Sequence, residues 1–421
     1  MTENRLRSKL ARGAVRLSLI LFGFALAEIG LWVAASLAGP IDRLTAKSQP
    51  IEPLVTDSLL MLRGNPLHPE HDAWGFRNDS VPARAGIVTL GDSHTYGTSV
   101  SSDQAWPSLL AEAMGRTVYN FGVPTWGALQ YESILPRALE LDPESIVVAL
   151  YMGNDLFDAF VVANERGVLE STVEPDEWAE LNRLEASASI EAEARRLFRA
   201  GDPEPSVGEP GSSGLRDVLS DRSRLYGLLR AGRRLIQPRA GQSPLLHPEF
   251  SRAVDAVTEE RAAYVAVYDG PEWRGLLSPA YRRRVLDLED VRIRIGLEQT
   301  IGALVRMAAV AAASGTVMVV ALLPTKESVF APRMQGAVDH PDLPGLWAAE
   351  DEVRARILEA LSRAGVPALD LLPALTASPA QPFFENIDGH LDAEGHAVVA
   401  HEVARALDAP GRALSGTEIE P

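Results

Sequence analysis

Short apolar runs that alternate with stretches of helical periodicity are the feature that most constrains how this chain folds. The runs are rich in aliphatic and β-branched side chains, which is typical of strands buried on both faces. Strands separated by helices are typical of a parallel sheet with crossover helices. The sequence therefore predicts an α/β fold, with strands at residues 87–90, 117–121, 145–153, 315–324 and 367–371.

This alternation stops between residues 161 and 289, where the chain is charged and mostly helical in pattern. We interpret 161–289 as a mostly helical insertion that covers one side of the sheet, with a flexible Pro/Gly/Ser-rich stretch at 202–214. The rest of the predicted organisation is a stalk and entry loop at 40–83, a catalytic domain at 84–160 and 290–410, and a tail at 411–421.

The N-terminus carries a basic segment, residues 1–16, and then an apolar stretch, residues 17–39, in which Glu28 is the only charge. At 1.5 Å per residue this stretch spans roughly 34 Å, which is enough to cross a hydrocarbon core of about 30 Å. The basic flank predicts a single-pass anchor in the cytoplasmic membrane, with the N-terminus in the cytoplasm. The alternative is a cleaved signal peptide, with residues 36–38 as the cleavage site. Both interpretations place the body of the protein on the periplasmic or extracellular side.

The composition argues against several classes of partner and chemistry. The net charge is −17, which argues against nucleic acid because phosphate binding needs a basic surface. The chain contains no cysteine, so it has no disulfide, no thiolate nucleophile and no Cys-ligated metal. His68, His71 and Asp72 lie close together, but without a helical frame a solvated loop is favoured over a metal site. The sequence indicates no metal and no organic cofactor.

Ser93 lies directly after the first predicted strand, in the segment IVTLGDSHTYG. Ligands of open α/β sheets bind beyond the carboxyl ends of the strands, and Gly91 and Gly97 permit a sharp turn there. The segment does not spell GxSxG, GxxxxGK[ST] or GxGxxG, which argues against a hydrolase elbow, a P-loop and a dinucleotide site. Ser93 is therefore either a turn hydroxyl or a nucleophile, and a nucleophile needs a base and oxyanion donors.

Candidates for these missing groups follow later strands. YMGND comes after the third strand, and the Asn154 amide in it is a candidate oxyanion donor. DGHLDAEGH precedes the last predicted helix. In it, His390 is a candidate general base, and Asp388 is able to fix its tautomer and stabilise the imidazolium. His396 is the alternative base, although its place in the helix favours packing or capping.

These motifs resemble the sequence blocks of the SGNH/GDSL hydrolases. IVTLGDSHTYG resembles the first block, NFGVPTWG the second, YMGND the third and DGHLDAEGH the last, over roughly residues 84–160 and 290–408. The resemblance implies a three-layer, flavodoxin-like fold. It also implies that Ser93 is the nucleophile and an oxyanion donor through its N–H, that Asn154 is another donor, and that His390 is the base.

Two departures from the family pattern bear on the site. The second block usually has a glycine five residues after its asparagine, but Thr125 stands there and the next glycine is Gly127. Because a β-branched residue resists positive φ, we expect a reshaped loop in which the third donor is either Thr125 or Gly127. The aspartate precedes His390 by two residues rather than three. This D-x-H spacing is similar to that of SGNH-like enzymes of exopolysaccharide O-acetylation, and a backbone carbonyl is the alternative partner for the ring.

Three further residues are candidate substrate contacts. Lys326 follows the fourth predicted strand, where a cation suits a carboxylate or sugar-acid substrate, and a salt bridge to Glu327 is the alternative. His94 lies beside Ser93, and Trp126 follows the second block, where an aromatic ring suits stacking on a sugar. For both of these residues, packing in the turn or the core is the alternative.

The sequence thus predicts an exported, membrane-anchored serine esterase for acyl esters, acetyl esters above all, of cell-envelope or extracellular carbohydrate. Because an acyl-enzyme reacts with either water or a sugar hydroxyl, an O-acyltransferase to polysaccharide is an open alternative. A non-catalytic carbohydrate-binding or assembly protein that retains the fold is another, with Thr125 as its best support. A lipase-like enzyme is a further alternative. The expected partners are the ester substrate and the membrane, without nucleic acid.

Overall fold

The structure is a computed structural model that describes residues 51–171, 175–185, 190–198 and 243–408. From Glu52 onward these residues belong to one compact unit. In chain order the strands are β1 (Leu54–Asp57), β2 (Met61–Gly64), β3 (Ile87–Gly91), β4 (Val118–Asn120), β5 (Ser145–Tyr151), β6 (Ala266–Asp269), β7 (Arg274–Leu277), β8 (Val317–Leu323) and β9 (Ala368–Asp370).

Five of these strands form a parallel sheet in the order β4-β3-β5-β8-β9. Counted along the sheet's own strands, this order is 2-1-3-4-5, which is the flavodoxin-like order. All five predicted strands are present within a few residues of their expected bounds, so the predicted α/β fold is confirmed. The strand order reverses beside β3, and ligands of such sheets bind at the carboxyl ends around this reversal.

Both faces of the sheet are buried, which explains why its strands read as continuous apolar runs. Successive residues of a strand point to opposite faces. Val88 and Leu90 of β3 accordingly pack in one core, whereas Ile87 packs with Val147 of β5 in the other. The sheet is therefore the middle of three layers.

Helices form the two outer layers. In the described residues they are α1 (Ser93–Tyr96), α2 (Trp106–Met114), α3 (Ala128–Leu139), α4 (Asp155–Glu165), α5 (Pro175–Glu185), α6 (Ile190–Phe198), α7 (Phe250–Asp255), α8 (Pro279–Arg284), α9 (Val291–Ala313), α10 (Lys326–Met334), α11 (Leu343–Arg363), α12 (Leu372–Thr376) and α13 (Ala393–Asp408). Helices α3, α4 and α9 pack on the Val88 face, and α2, α10 and α13 pack on the Ile87 face.

Among the described residues, α9 is the one helix that is long and apolar enough to cross a membrane by length and composition. It contacts α3, α4 and β8. At Gly296 it crosses α4 so closely that a Cβ there would lie 1.9 Å from the Leu156 carbonyl oxygen. A helix held against the sheet in this way is part of the core. The predicted anchor at 17–39 lies outside the described residues.

Residues 52–83, which fall in the predicted stalk and entry loop, belong to the same compact unit as the sheet. The Trp126 indole donates to the Leu62 carbonyl at 2.7 Å. The Tyr119 hydroxyl donates to the Asp72 carboxylate, also at 2.7 Å. Side-chain hydrogen bonds of this kind leave no apolar period in the sequence, so these particular attachments were not predicted.

The described parts of the predicted insertion combine helices with the β6–β7 hairpin, which was not predicted. The Leu276 N–H on β7 donates to the Glu385 carbonyl at 2.8 Å. The hairpin therefore contacts the segment that leads to Asp388 and His390. The stretch at 202–214, predicted to be flexible, lies outside the described residues.

Candidate active site

Ser93 occupies the first turn after β3, where the chain leaves the sheet for the short helix α1. The Asp92 carboxylate accepts the His94 N–H at 2.9 Å and caps this helix. Gly91 permits the tight exit, because a Cβ there would lie 2.0 Å from Thr95 Oγ1. The turn therefore places Ser93, which is half-buried, at the carboxyl edge of the sheet.

His390 lies against Ser93 although 297 positions separate them in the sequence. The distance from His390 Nε2 to Ser93 Oγ is 2.8 Å. On the other side of the ring, Nδ1 contacts Asp388 Oδ1. A carboxylate at Nδ1 selects the tautomer whose Nε2 accepts a proton. The structure thus brings together the three side chains that the sequence named, and the D-x-H spacing lets the carboxylate reach the ring directly.

Asp388 makes three further hydrogen bonds that the sequence did not indicate, one of which is accepted by Oδ1 from the His390 N–H at 3.2 Å. Ser99 Oγ donates to Asp388 Oδ2 at 3.0 Å, and the Asp388 N–H donates to Asn386 Oδ1 at 2.9 Å. Ser99 adopts a φ of 72°, in the left-handed region that residues other than glycine rarely occupy. The only indication of this role in the sequence was that Ser99 follows the first block closely. Nothing else distinguishes it from other loop serines.

The pKa shifts of this pair suit a base and its supporting acid. Burial lowers the pKa of His390, but the charge and the hydrogen bond of Asp388, together with the charge of Asp92, raise it by more, so the net shift is upward. Burial raises the pKa of Asp388, while the charge of His390 and the hydrogen bonds to the carboxylate lower it to about 2. Asp388 is therefore ionised at neutral pH and stabilises the imidazolium.

Asn154 follows β5 at the N-terminal end of α4. Its side-chain amide donates to Asp158 Oδ2 at 2.5 Å. An amide carries two N–H donors, so this hydrogen bond fixes the rotation of the amide and leaves the second donor for another acceptor. Burial raises the pKa of Asp158 to about 7.

The loop after β4 distinguishes the two candidate backbone donors. Thr125 is exposed and adopts a φ of 73°, so the chain accepts the strained conformation that we expected a β-branched residue to resist. Within the described ranges, its N–H has no hydrogen-bond partner. The Gly127 N–H instead donates to Gln130 Oε1 at 3.0 Å, just before α3 begins. The free donor in this loop is thus at Thr125 rather than at Gly127.

Two family models match the chain, one on each half of this site. Residues 89–281, which include Ser93, match the GDSL-like Lipase/Acylhydrolase family. Residues 285–419, which include Asp388 and His390, match the model described as SGNH hydrolase-like domain, acetyltransferase AlgX. The chain belongs to the SGNH/GDSL hydrolase superfamily. It is an enzyme of the GDSL ester-hydrolase type with an acetyltransferase-like segment.

Several solved structures are similar to this SGNH/GDSL chain. Est24, a carbohydrate acetylesterase from Sinorhizobium meliloti, is 11% identical over 76% of this chain and 97% of its own, with a TM-score of 0.32. An extracellular lipase from Streptomyces rimosus is 12% identical over 77% of this chain and 99% of its own, with a TM-score of 0.34. Phospholipase A1 from Streptomyces albidoflavus is 11% identical over 78% of this chain and 100% of its own, also with a TM-score of 0.34. No curated protein matches the chain. Similarity at this level says nothing about substrate.

Two of the predicted substrate contacts of this SGNH/GDSL enzyme are buried. Trp126 is fully buried and donates its indole N–H to the Leu62 carbonyl, so it is a core residue and not a platform for a sugar. His94 is 1% exposed, and its ring centre lies 5.0 Å from that of His390 and 4.2 Å from that of Tyr151. Burial and the charge of His390 hold the pKa of His94 well below its ordinary value. His94 therefore packs behind the base as a neutral ring.

Lys326 is also buried, which differs from the expected substrate contact. Its Nζ donates to the carbonyls of Leu276, Phe384 and Asn386 at 3.1, 2.5 and 2.8 Å. All three N–H donors of the ammonium group are thus engaged, and none is left for a substrate carboxylate. Burial lowers the pKa of Lys326 to about 8. The side chain connects β7 to the segment that leads to Asp388.

His396, the alternative base, is fully buried in α13. Its Nδ1 accepts the Trp106 N–H at 3.2 Å, which connects α13 to the start of α2. Burial lowers the pKa of His396 to about 3. It is therefore a neutral packing residue, and His390 is the histidine that contacts Ser93.

The cluster of His68, His71 and Asp72 is occupied by hydrogen bonds within the protein. His71 contacts the Asn65 carbonyl at 3.0 Å and the Tyr96 hydroxyl at 2.9 Å. In the part of the chain that the structure describes, no group of three His, Asp or Glu side chains is arranged to hold a metal ion.

Proposed function

We propose that this SGNH/GDSL enzyme is an exported, membrane-anchored serine esterase that removes acyl groups, acetyl groups above all, from cell-envelope or extracellular carbohydrate. The observation that carries the chemistry is the 2.8 Å contact between Ser93 Oγ and His390 Nε2, with Asp388 on the other ring nitrogen. A serine so paired becomes a nucleophile at neutral pH, because the base removes its proton as it attacks.

In the first half-reaction, His390 Nε2 takes the proton of Ser93 Oγ as Oγ bonds to the acyl carbonyl carbon. The carbonyl oxygen becomes an oxyanion. His390 then donates the proton to the sugar oxygen as the ester C–O bond breaks. The sugar leaves with a free hydroxyl, and the acyl group stays on Ser93.

In the second half-reaction, His390 takes a proton from a water molecule, and the water oxygen bonds to the acyl carbon. The Ser93 C–O bond breaks, His390 returns the proton to Oγ, and a carboxylic acid is released. Asp388 stays ionised throughout and stabilises each imidazolium.

Three donors are proposed for the oxyanion: the Ser93 N–H, the Asn154 side-chain amide and the Thr125 N–H. The hydrogen bond from Asn154 to Asp158 supports the second donor, since it orients the amide before substrate binds. The Thr125 N–H is supported as the third donor because it has no hydrogen-bond partner in the described ranges, whereas the Gly127 N–H already donates to Gln130.

Carbohydrate as the substrate, and the export of the protein, are supported by separate observations. The D-x-H spacing at Asp388 is similar to that of exopolysaccharide O-acetylation enzymes, and residues 285–419 match an acetyltransferase domain. The basic segment and apolar stretch at 1–39 have the charge and length of a membrane anchor with its N-terminus in the cytoplasm.

Acyl transfer is the second candidate, and the acetyltransferase match over residues 285–419 favours it. The first half-reaction is unchanged in this case. A sugar hydroxyl then replaces water in the second half-reaction, so the acyl group moves from Ser93 to a polysaccharide oxygen.

Labelling by a fluorophosphonate probe tests the proposed nucleophile and base in the full-length chain. We expect the probe to label the wild type on Ser93, and to fail with Ser93→Ala and His390→Ala. Hydrolysis of p-nitrophenyl acetate should show the same dependence. Ser101→Ala is a matched control, since Ser101 lies in the same region but bonds to Gln104. Equal rates for wild type and Ser93→Ala would overturn the proposal.

A second assay separates hydrolysis from transfer. The wild-type chain is incubated with an acetylated oligosaccharide, with and without a non-acetylated acceptor oligosaccharide. Release of acetate at the same rate in both samples supports the esterase, whereas acetylation of the acceptor supports the transferase. Protease digestion of intact and permeabilised cells tests the location. Cleavage only after the cytoplasmic membrane is permeabilised would contradict export.

A further inference from the structure

Arg282 is a buried arginine beside the candidate active site that neither family match includes. It lies on α8, between the matched segments 89–281 and 285–419. The residue is only 5% exposed. Its Nη1 donates to the Gly153 carbonyl at 2.7 Å, immediately before Asn154 in the chain. One end of the guanidinium is thus attached to the loop of the proposed oxyanion donor.

The other end of the guanidinium lies against Gly389, between Asp388 and His390. A Cβ at Gly389 would lie 2.4 Å from Arg282 Nη2, so a side chain there would displace the end of the guanidinium. The same Cβ would lie 3.3 Å from the Tyr151 hydroxyl. The backbone at Gly389 therefore packs directly against the Arg282 guanidinium.

A chain of ring contacts also connects Arg282 to the base. The guanidinium carbon lies 5.4 Å from the centre of the Tyr151 ring, the Tyr151 ring centre is 4.2 Å from that of His94, and the His94 ring centre is 5.0 Å from that of His390. A planar cation stacks well on such a ring, and a lysine does so less well.

The α10 helix holds Arg282 in place on its remaining side. Glu327 Oε1 accepts the N–H of Ser278, just before α8, at 2.7 Å. Glu327 Oε2 lies 3.9 Å from Arg282 Nε, and both atoms are buried without a hydrogen-bond partner among the described residues. Glu327 thus supplies a nearby negative charge while the guanidinium stays directed at Gly153 and Gly389.

We infer that Arg282 is a positioning residue that holds the Gly153–Asn154 loop and the Asp388–His390 loop at the separation their chemistry needs. The first loop follows β5 and the second precedes α13, and the planar guanidinium contacts both of them. A change in this separation moves the oxyanion donor relative to the base, and misplacement by about 1 Å costs up to roughly 10²-fold in rate.

The charge of Arg282 gives the inference an electrostatic consequence. The positive guanidinium lowers the pKa of His390, opposing Asp388. The titratable groups that face His390 are Asp388, Asp92, His94, His396 and Arg282. Those that face Arg282 are Glu327, Glu350, Tyr151, Tyr281, His94 and His390 itself. Removing the guanidinium is therefore expected to raise the pKa of His390.

Two variants of the full-length chain separate position from charge. Arg282→Met removes the bridge and the charge, whereas Arg282→Lys keeps the charge but cannot span both loops. Arg283→Met is the matched control, because Arg283 lies on the same helix but is about half exposed and pairs with Asp342. NMR titration of the ring-labelled histidines reports the pKa of His390, whose signal is assigned by its loss in His390→Gln.

We expect a higher His390 pKa in Arg282→Met and a pKa close to wild type in Arg282→Lys and Arg283→Met. The kcat for p-nitrophenyl acetate should fall roughly 10- to 100-fold in both Arg282 variants and stay unchanged in Arg283→Met. A wild-type His390 pKa in Arg282→Met, or full kcat in Arg282→Lys, would overturn the inference. If Arg282→Met does not fold by circular dichroism, the kcat of Arg282→Lys decides alone.

The kinetic measurement rests on the proposed function, whereas the NMR titration needs no turnover. A wild-type chain without Ser93-dependent esterase activity would contradict the proposed function. The pKa of His390 in the Arg282 variants would then still decide whether the guanidinium acts on the ring. The two failures are thus distinguishable.

Discussion

The Ser99 hydroxyl donates to Asp388 Oδ2 at 3.0 Å, while Oδ1 of the same carboxylate contacts the His390 ring. Both oxygens of the carboxylate are therefore engaged, one by the base and one by a residue that follows Ser93 closely in the chain. This bond connects the loop of the nucleophile directly to the loop of the base. Asp388 consequently has little freedom to rotate away from His390.

Ser99→Ala is expected to lower kcat/KM by roughly 2- to 10-fold, since a net hydrogen bond is worth about 0.5–1.5 kcal/mol. The φ of 72° is kept in this variant, so the change isolates the hydroxyl. The kcat/KM of purified Ser99→Ala is measured by ester hydrolysis, with Ser101→Ala as the control. Equal kcat/KM for Ser99→Ala and wild type would show that Asp388 is held without this bond.

The pH dependence of kcat/KM is expected to report the pKa of His390, which must be neutral to accept the Ser93 proton. Because Asp388 raises that pKa above its ordinary value of 6.5, activity should rise with pH with a midpoint above 6.5. Asp388→Asn removes the carboxylate, so the midpoint should move to lower pH. Its rate should fall by roughly 10³- to 10⁴-fold, as expected when the tautomer is no longer selected. An unchanged midpoint in Asp388→Asn would contradict this electrostatic role.

Asn154→Ala is expected to lower kcat by roughly 10²- to 10³-fold with little change in KM, since an oxyanion donor acts mainly in the transition state. Asp158→Ala should have a smaller effect in the same direction, because it releases the amide without removing it. Steady-state kinetics with a chromogenic ester measure both variants. Asn164→Ala, an exposed position on the same helix, is the control. A larger loss in Asp158→Ala than in Asn154→Ala would contradict this order.

Thr125→Gly is expected to stabilise the fold by about 0.5–1 kcal/mol while leaving kcat near the wild-type value. Relief of the left-handed conformation contributes about 1–2 kcal/mol, and the greater freedom of glycine in the unfolded chain offsets about 0.5–1 kcal/mol of this. The backbone N–H proposed as a donor is unchanged. Urea unfolding measures the free energy of unfolding of each variant. Thr258→Gly is the control and should be destabilising, because the φ of Thr258 is not positive. A lower free energy of unfolding in Thr125→Gly would show that the Thr125 backbone is not strained in the wild type.

The parallel sheet was predictable because burial on both faces leaves a direct trace in the sequence. Residues 87–90 and 145–153 read as continuous apolar runs since each of their side chains packs in one of two cores. The same principle placed Ser93 and Asn154 at one edge of the sheet, because they follow the adjacent parallel strands β3 and β5.

Which side chains at that edge face the cleft and which face the core was not predictable from the sequence. Lys326 and Trp126 both lie near strand ends, where the sequence suggested substrate contacts, yet both are fully buried. Whether a residue near a strand end faces the cleft or the core depends on what packs above it. For Lys326 this is decided by β7 and the segment at 384–386, which come from distant parts of the sequence.

Local sequence determined where the chain forms strands, where it turns sharply and which side chains can act as nucleophile, base and acid. These properties depend on neighbours a few positions away, so they can be read from a short window. Only the tertiary structure decided that Ser99 supports Asp388, that Thr125 rather than Gly127 has a free N–H, and that Arg282 bridges two loops. Each of these depends on a distance between groups that lie far apart in the sequence or on the conformation that packing imposes on a loop, and residue order alone specifies neither.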